Sequence, residues 1–296
     1  MAFKDPKAIT EVATEKGIEK AHLPWDKQLV AGFLAGAYIA FGGLLAITVS
    51  AGLDPATWGG LITLFTGAVF TLGLILVVVA GSELLTGNMA ILPLAAYRER
   101  IGGRRLLRNL AVVTVGNLLG SLFVAYVLAV KTGVVMEDAP LQRLGEIAEL
   151  KAGTETTGEI FLRAMGCNWL VCLAVWMAFA AEDIAGKILA IFFPIMAFVA
   201  LGFDHVVANM FFLPAAIFAD TGGIGWGDAL HNWLFAFLGN LAGAAIFVAG
   251  FYWYLYGRQT PAEAKAGDEP SDSGRSGRTA DDDAVTDAGA GSRVVR

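Results

Sequence analysis

Residues 202–214 read GFDHVVANMFFLP and set Asp204, His205 and Asn209 within one of the most apolar parts of the chain. Such groups can hold a proton, accept or donate hydrogen bonds to a small polar solute, or cap a broken helix. Inside a lipid-length apolar segment ionisable groups are costly, and they usually mark an ion or proton route. The same interruption occurs earlier, in GSELLTGNMAILP at 81–93. At an offset of 121 positions Gly81 matches Gly202, Glu83 matches Asp204, Asn88 matches Asn209, and Leu92-Pro93 matches Leu213-Pro214. His205 has Leu84 as its counterpart, so the repeated site is alike in backbone and unlike in chemistry. His205 is the candidate solute-handling group. Glu83 and Asp204 either cap the broken helices or tune the central site.

The elements that position these groups follow from composition. Of 296 residues 56% are hydrophobic and only 16% charged, whereas soluble domains carry about 25% charged residues. The apolar residues are gathered in long runs, which indicates an all-α integral membrane protein embedded in a lipid bilayer. Six membrane segments are expected near 29–52, 60–81 continuing as 88–98, 107–130, 161–181, 187–202 continuing as 209–219, and 232–256. The second and fifth are the broken ones. Residues 1–27 are of mixed charge and read as an amphipathic segment on the cytoplasmic membrane surface. Residues 28–257 form the membrane domain, and 258–296, rich in Ser, Gly, Asp and Ala, read as a disordered cytoplasmic tail.

Lysines 4, 7, 16, 20 and 27 and arginines 98, 100, 104, 105 and 108 fall on the side predicted to be cytoplasmic. Both termini inside requires an even number of spans. GNLLG at 116–120 matches GNLAG at 239–243, so the duplication extends to about 28–130 and 161–257. Three spans per copy is odd, and the second copy must enter from the opposite side. This is an inverted repeat of three plus three, with the working site near the midplane. The glycine pairs 32/36, 116/120 and 239/243 permit close helix contact. Restarting helices would aim backbone N–H groups and positive dipole ends at the pore centre.

Cys167 and Cys172 lie five residues apart, roughly 140° around a helix, which suits two packed thiols rather than a disulfide. Three scattered histidines, His22, His205 and His231, make no metal set. No cofactor is expected, nothing points to nucleic acid, and no nucleophile–base constellation suggests an enzyme. A tail without large apolar residues argues against a sensor domain. A water or glycerol channel would need paired Asn-Pro-Ala motifs, which the two Asn-Met sequences are not.

GSELLTGN, CNWLVCLAVWMA and GFDHVVANMFFLP resemble the signature segments of the formate/nitrite transporter family, over roughly residues 25–257. The resemblance implies an aquaporin-like fold in a homopentamer of the plasma membrane, with one pore per protomer. It implies transport of small weak-acid anions: formate, nitrite, hydrosulfide, and often acetate or lactate. Formate is the expected substrate, with nitrite or hydrosulfide as the alternative. The family's central histidine corresponds to His205, its flexible-loop threonine to Thr86 and its pore asparagine to Asn168. Its apolar constrictions correspond to Phe70, Leu74, Leu84, Leu85, Val171 and Phe198, and its vestibule lysine to Lys151. Asp204 stands where glutamate is common, and Leu85 where phenylalanine is common.

Overall fold

The structure, a computed structural model, describes residues 3–258. The tail expected to be disordered lies outside the described residues except for Arg258. Among the described residues the chain is helical apart from one isolated bridge, Phe3 to Ala181. In order the helices are α1 (Pro6–His22), α2 (Trp25–Ser50), α3 (Pro55–Trp58), α4 (Leu61–Leu76), α5 (Leu85–Tyr97), α6 (Gly103–Phe123), α7 (Asp138–Ala148), α8 (Thr157–Ala180), α9 (Ile184–Ala200), α10 (Val206–Phe218) and α11 (Trp226–Ala242). Wide π turns extend α4 to Gly81, α6 to Val130 and α11 toward Gly257. Five helices, counted with these extensions, are long and apolar enough to cross a membrane: those starting at Trp25, Leu61, Gly103, Thr157 and Trp226. Helix α9, at 17 residues, is shorter.

Small residues set the packing. A methyl group on Gly36 would collide with the Asn117 carbonyl, and one on Gly120 with the Phe33 carbonyl, so α2 and α6 touch backbone to backbone. Gly239 and Gly243 stand in the same relation to the Phe161 and Met165 carbonyls of α8. The GNLLG and GNLAG motifs therefore perform one packing task twice, as close-approach glycines do in lipid-embedded bundles.

Both breaks have a common local cause. Gly81 and Gly202 adopt φ of +86° and +70°, a left-handed conformation that costs glycine little. Each closes the preceding helix in a Schellman-type end. The Ser82 N–H donates to the Val77 carbonyl at 3.1 Å, and the Phe203 N–H to the Phe198 carbonyl at 3.0 Å. Two extended residues follow, then Leu84 and His205 cap α5 and α10. The new helices begin at Leu85 and Val206, three residues earlier than the expected restarts at 88 and 209. One cap residue separates each acid, Glu83 and Asp204, from the new helix.

Helix α1 packs against the half-helix α5. Asp5 caps it by accepting from the Ala8 N–H at 2.9 Å. Its face bearing Ile9, Ala13, Gly17 and Ala21 is buried. Gly17 lies against the Ile91 carbonyl of α5. The segment packs on protein instead of offering that face to lipid.

Candidate functional site

The half-helices α5 and α10 are buried along nearly their whole length, and their first turns meet at the centre of the fold. There Thr86 Oγ1 lies 2.8 Å from His205 Nε2. The Ala208 N–H donates to His205 Nδ1 at 3.1 Å. Nδ1 therefore acts as acceptor, the ring proton sits on Nε2, and it is donated to Thr86. His205 is thus both the N-cap of α10 and the donor at the site.

Two asparagines absent from the sequence-based expectation fasten this centre. Asn117 Oδ1 accepts from the Leu85 N–H at 2.9 Å, while its Nδ2 donates to the carbonyls of Gly32 and Glu83. Asn240 Oδ1 accepts from the Val206 N–H at 2.9 Å, while its Nδ2 donates to the carbonyls of Ala164 and Asp204. These are the asparagines of GNLLG and GNLAG. Their signal was in the repeat, but only the flanking glycines were read from it. The caps also revise the expected dipole site. The first amide of each half-helix, and the third of α10, are already bonded and are not aimed at a solute.

Each break carries a matched polar chain. On one side Lys151 Nζ donates to Asp204 Oδ1 at 2.9 Å, and so does Asn209 Nδ2, also at 2.9 Å. Asn209 also donates to Asn232, which donates to the Lys151 carbonyl. On the other side Lys20 Nζ donates to Glu83 Oε1 at 2.6 Å and Asn88 Nδ2 to Glu83 Oε2 at 2.8 Å. Asn88 also donates to Asn109, which donates to the Lys20 carbonyl. Lys20, Asn109 and Asn232 were missed by sequence reasoning. The two lysines fall outside the 121-residue register and come from unrelated elements, α1 and the π turn after α7.

Two cavities approach the centre. One, of about 160 Å³, is lined by Lys151, Arg143, Glu146, Phe70, Phe198 and His205. The other, of about 560 Å³, lies beneath α1 and is lined by Lys20, Glu83, Asn88, Leu74, Leu84 and Val175. Phe70 and Phe198 meet edge to face with centroids 5.8 Å apart, and Phe198 stacks at 5.9 Å on the His205 ring. The expected constriction residues therefore divide. Phe70 and Phe198 belong to the first cavity, Leu74 and Leu84 to the second, and Leu85 and Val171 are buried and line neither.

Asn168 Nδ2 donates to the Thr86 carbonyl at 3.2 Å and the Asn240 carbonyl at 2.8 Å. Its amide Nδ2 thus holds the backbone of the Thr86 turn. Cys172 Sγ contacts the same Thr86 carbonyl at 3.4 Å. Both cysteines are buried and unpaired.

Thr86→Val preserves shape and removes the hydroxyl that lies 2.8 Å from His205 Nε2. Formate uptake into liposomes is expected to fall about tenfold, the loss of one buried hydrogen bond to a dry solute, without change in the size of the assembly. Unchanged kinetics would reduce Thr86 to a packing residue.

Comparison with known proteins agrees with this arrangement. The family described as Formate/nitrite transporter matches residues 7–254. The chain is 49% identical to an uncharacterized transporter, YrhG, of Bacillus subtilis (strain 168), covering 86% of this chain and 95% of that one. It is 47% identical to a probable formate transporter of Methanothermobacter thermautotrophicus, covering 86% and 98%. It is 44% identical to the formate channel BtFdhC of Bacillus thuringiensis, covering 88% and 98%. Among solved structures, a pentameric formate channel with formate bound superposes with a TM-score of 0.70 at 30% identity, covering 79% of this chain and 98% of that one. A break made twice, a histidine at one copy only, and a lysine-lined cavity at each break accompany similarity over nearly the whole chain: it belongs to the formate/nitrite transporter family and is a multi-pass membrane protein.

Proposed function

We propose that this chain carries formate across the membrane through one pore per protomer, and that its work is transport and not enzymatic chemistry. The observation that supports this most is the His205 Nε2–Thr86 pair, 2.8 Å apart, set between aromatic and aliphatic constrictions with a lysine-bearing cavity on either side. Formate relatives at 44–47% identity support the choice of substrate, and the solved formate pentamer supports a homopentamer. The matched breaks and matched GN motifs support six crossings in two inverted halves, and the basic residues near α1 and between α5 and α6 support cytoplasmic termini.

The physical difficulty is a dry passage. Burying an unpaired carboxylate is prohibitive, while its neutral acid costs far less. In this reading the anion gathers beside Lys151 in the smaller cavity. There it takes up one proton, crosses between Phe198 and Leu84 as the acid, and returns the proton beyond Glu83 and Lys20. His205 Nε2–H and the Thr86 hydroxyl orient it in transit. Because Nδ1 already holds the Ala208 amide, an imidazolium would sacrifice that cap, so the proton is drawn from water through the vestibule and His205 serves as a neutral donor.

A liposome uptake panel tests this. Formate is expected to enter faster than acetate, nitrite and hydrosulfide, and entry should accelerate when the proton gradient is directed inward. Preference for nitrite or hydrosulfide would move the chain to another substrate of the family. No flux of any of these anions would overturn the transport reading.

A further inference from the structure

Asp204 and Glu83 occupy equivalent places, yet their carboxylates are satisfied differently. Glu83 spends one oxygen on Lys20 and the other on Asn88. Asp204, one methylene shorter, receives both Lys151 and Asn209 on Oδ1. Its Oδ2 is buried and without a hydrogen-bond partner. Opposite it is Glu155, from the short connection between the π turn 149–154 and α8. Glu155 Oε1 accepts from Arg163 at 2.6 Å, and its Oε2 is likewise buried and without a donor. The two carboxyl groups act on each other as neighbouring side chains, and each keeps one buried oxygen without a donor. Nothing in the functional reading uses Glu155, and it lines neither cavity.

Two buried carboxylates in contact cannot both remain ionised. A proton placed between Oε2 and Oδ2 turns two unsatisfied acceptors into a donor and an acceptor, which removes both deficits at once. The charged groups acting on Glu155 are Asp204 at the α9–α10 break, Lys151 on the π turn and Arg163 on α8. On α11 the nearby side chains are His231, 3.1 Å from Thr157, and the uncharged Asn232.

We propose that Glu155 and Asp204 share one proton and that this pair sets the charge of the Lys151 vestibule, making it a pH-dependent anion collector. With the proton present, Lys151 and Arg163 against one carboxylate leave the cluster at one net positive charge. With it lost, two carboxylates balance two cations and the attraction for an anion disappears. The proton resides on Glu155, whose burial, then its contact with Asp204, pushes its carboxyl up to about 8. Glu155 acts through Lys151 and Asp204 and is a positioning residue. As a group with a raised pKa in the folded state, it contributes stability that is fully present below the ordinary glutamate range and lost as pH rises through about 8.

The proposal rests on the transport reading for its effect on flux, but not for the shared proton, so the test has two arms. In the first, infrared titration of the purified wild-type protein is expected to show a protonated-carboxyl C=O band that disappears near pH 8 and is missing in Glu155→Gln. Absence of a titrating band in the wild type overturns the shared proton. In the second, formate uptake is measured from pH 6 to pH 9, where formate stays an anion throughout. Glu155→Gln is the suitable variant because its amide donates to Asp204 Oδ2 as the shared proton does. Wild-type KM is expected to rise about five- to tenfold across this range from the loss of one unit of nearby charge, while the variant's KM stays flat relative to it. Parallel KM profiles with the infrared band present would keep the shared proton and overturn the collector. No uptake by the wild type at any pH, with the band present, would count against transport and against the collector that depends on it.

Discussion

His205→Asn is expected to cut proton-gradient-driven formate uptake by at least about fivefold while leaving the protein folded. The two ring nitrogens have separate tasks. Nδ1 accepts the Ala208 N–H at 3.1 Å and so caps α10. Asparagine is among the best N-cap residues and can accept the same amide, so the restart of α10 survives. Nε2 reaches across to Thr86 at 2.8 Å, and the shorter amide cannot span that gap. The substituted pore keeps its apolar walls and loses its central donor. Leaving a polar atom of the neutral acid unmet in a dry pore costs about 1–3 kcal/mol, so driven uptake should fall roughly five- to hundredfold. Passive anion leak can persist or grow, because the vestibule lysines are untouched. Flux should be followed in proteoliposomes at several pH values, with and without an imposed gradient. A variant with the wild-type pH profile and gradient response would remove His205 from the mechanism.

Asn240→Ala is expected to cost more in stability than any change in the constriction. The substitution strips the cap from the Val206 N–H and leaves the Ala164 and Asp204 carbonyls without their donor, all at a buried position. An unsatisfied buried group costs about 1–3 kcal/mol, and because the Ala164 carbonyl keeps its helix bond within α8, the other two together come to roughly 2–6 kcal/mol. That is a large share of the 5–15 kcal/mol typical of a folded domain. Little assembled protein should survive extraction, and what survives should melt about 10 °C lower. Asn117→Ala should behave alike, because Asn117 makes the same three bonds in the other half. Size-exclusion profiles of heated samples read the result directly. A melting temperature within about 3 °C of wild type for either variant would show that water or a backbone shift replaces the clasp.

The sequence by itself determined whatever depends on neighbours along the chain. Long apolar runs require helices in lipid. Gly81 and Gly202 permit the left-handed turn that ends a helix, and an acid two residues after each glycine, Glu83 and Asp204, marks the break. The repeat at 121–123 residues made the two halves legible, down to the packing glycines of GNLLG and GNLAG. The resemblance then singled out His205 and Thr86, which lie 2.8 Å apart, and Lys151, which lines the same cavity as His205.

Only the tertiary structure decided which distant groups meet. Lys20 reaches Glu83 across 63 residues, and Lys151 reaches Asp204 across 53. No periodicity links such partners, since a hydrogen bond between elements depends on where helices cross and not on spacing. For the same reason Asn168 could not be told from a solute-facing amide. Its Nδ2 donates to the Thr86 carbonyl, 82 residues away along the chain. Glu155 reads along the chain as one more acid in a polar loop. It becomes a proton-sharing partner only because the α9–α10 break presents a carboxylate too short to satisfy both its oxygens elsewhere.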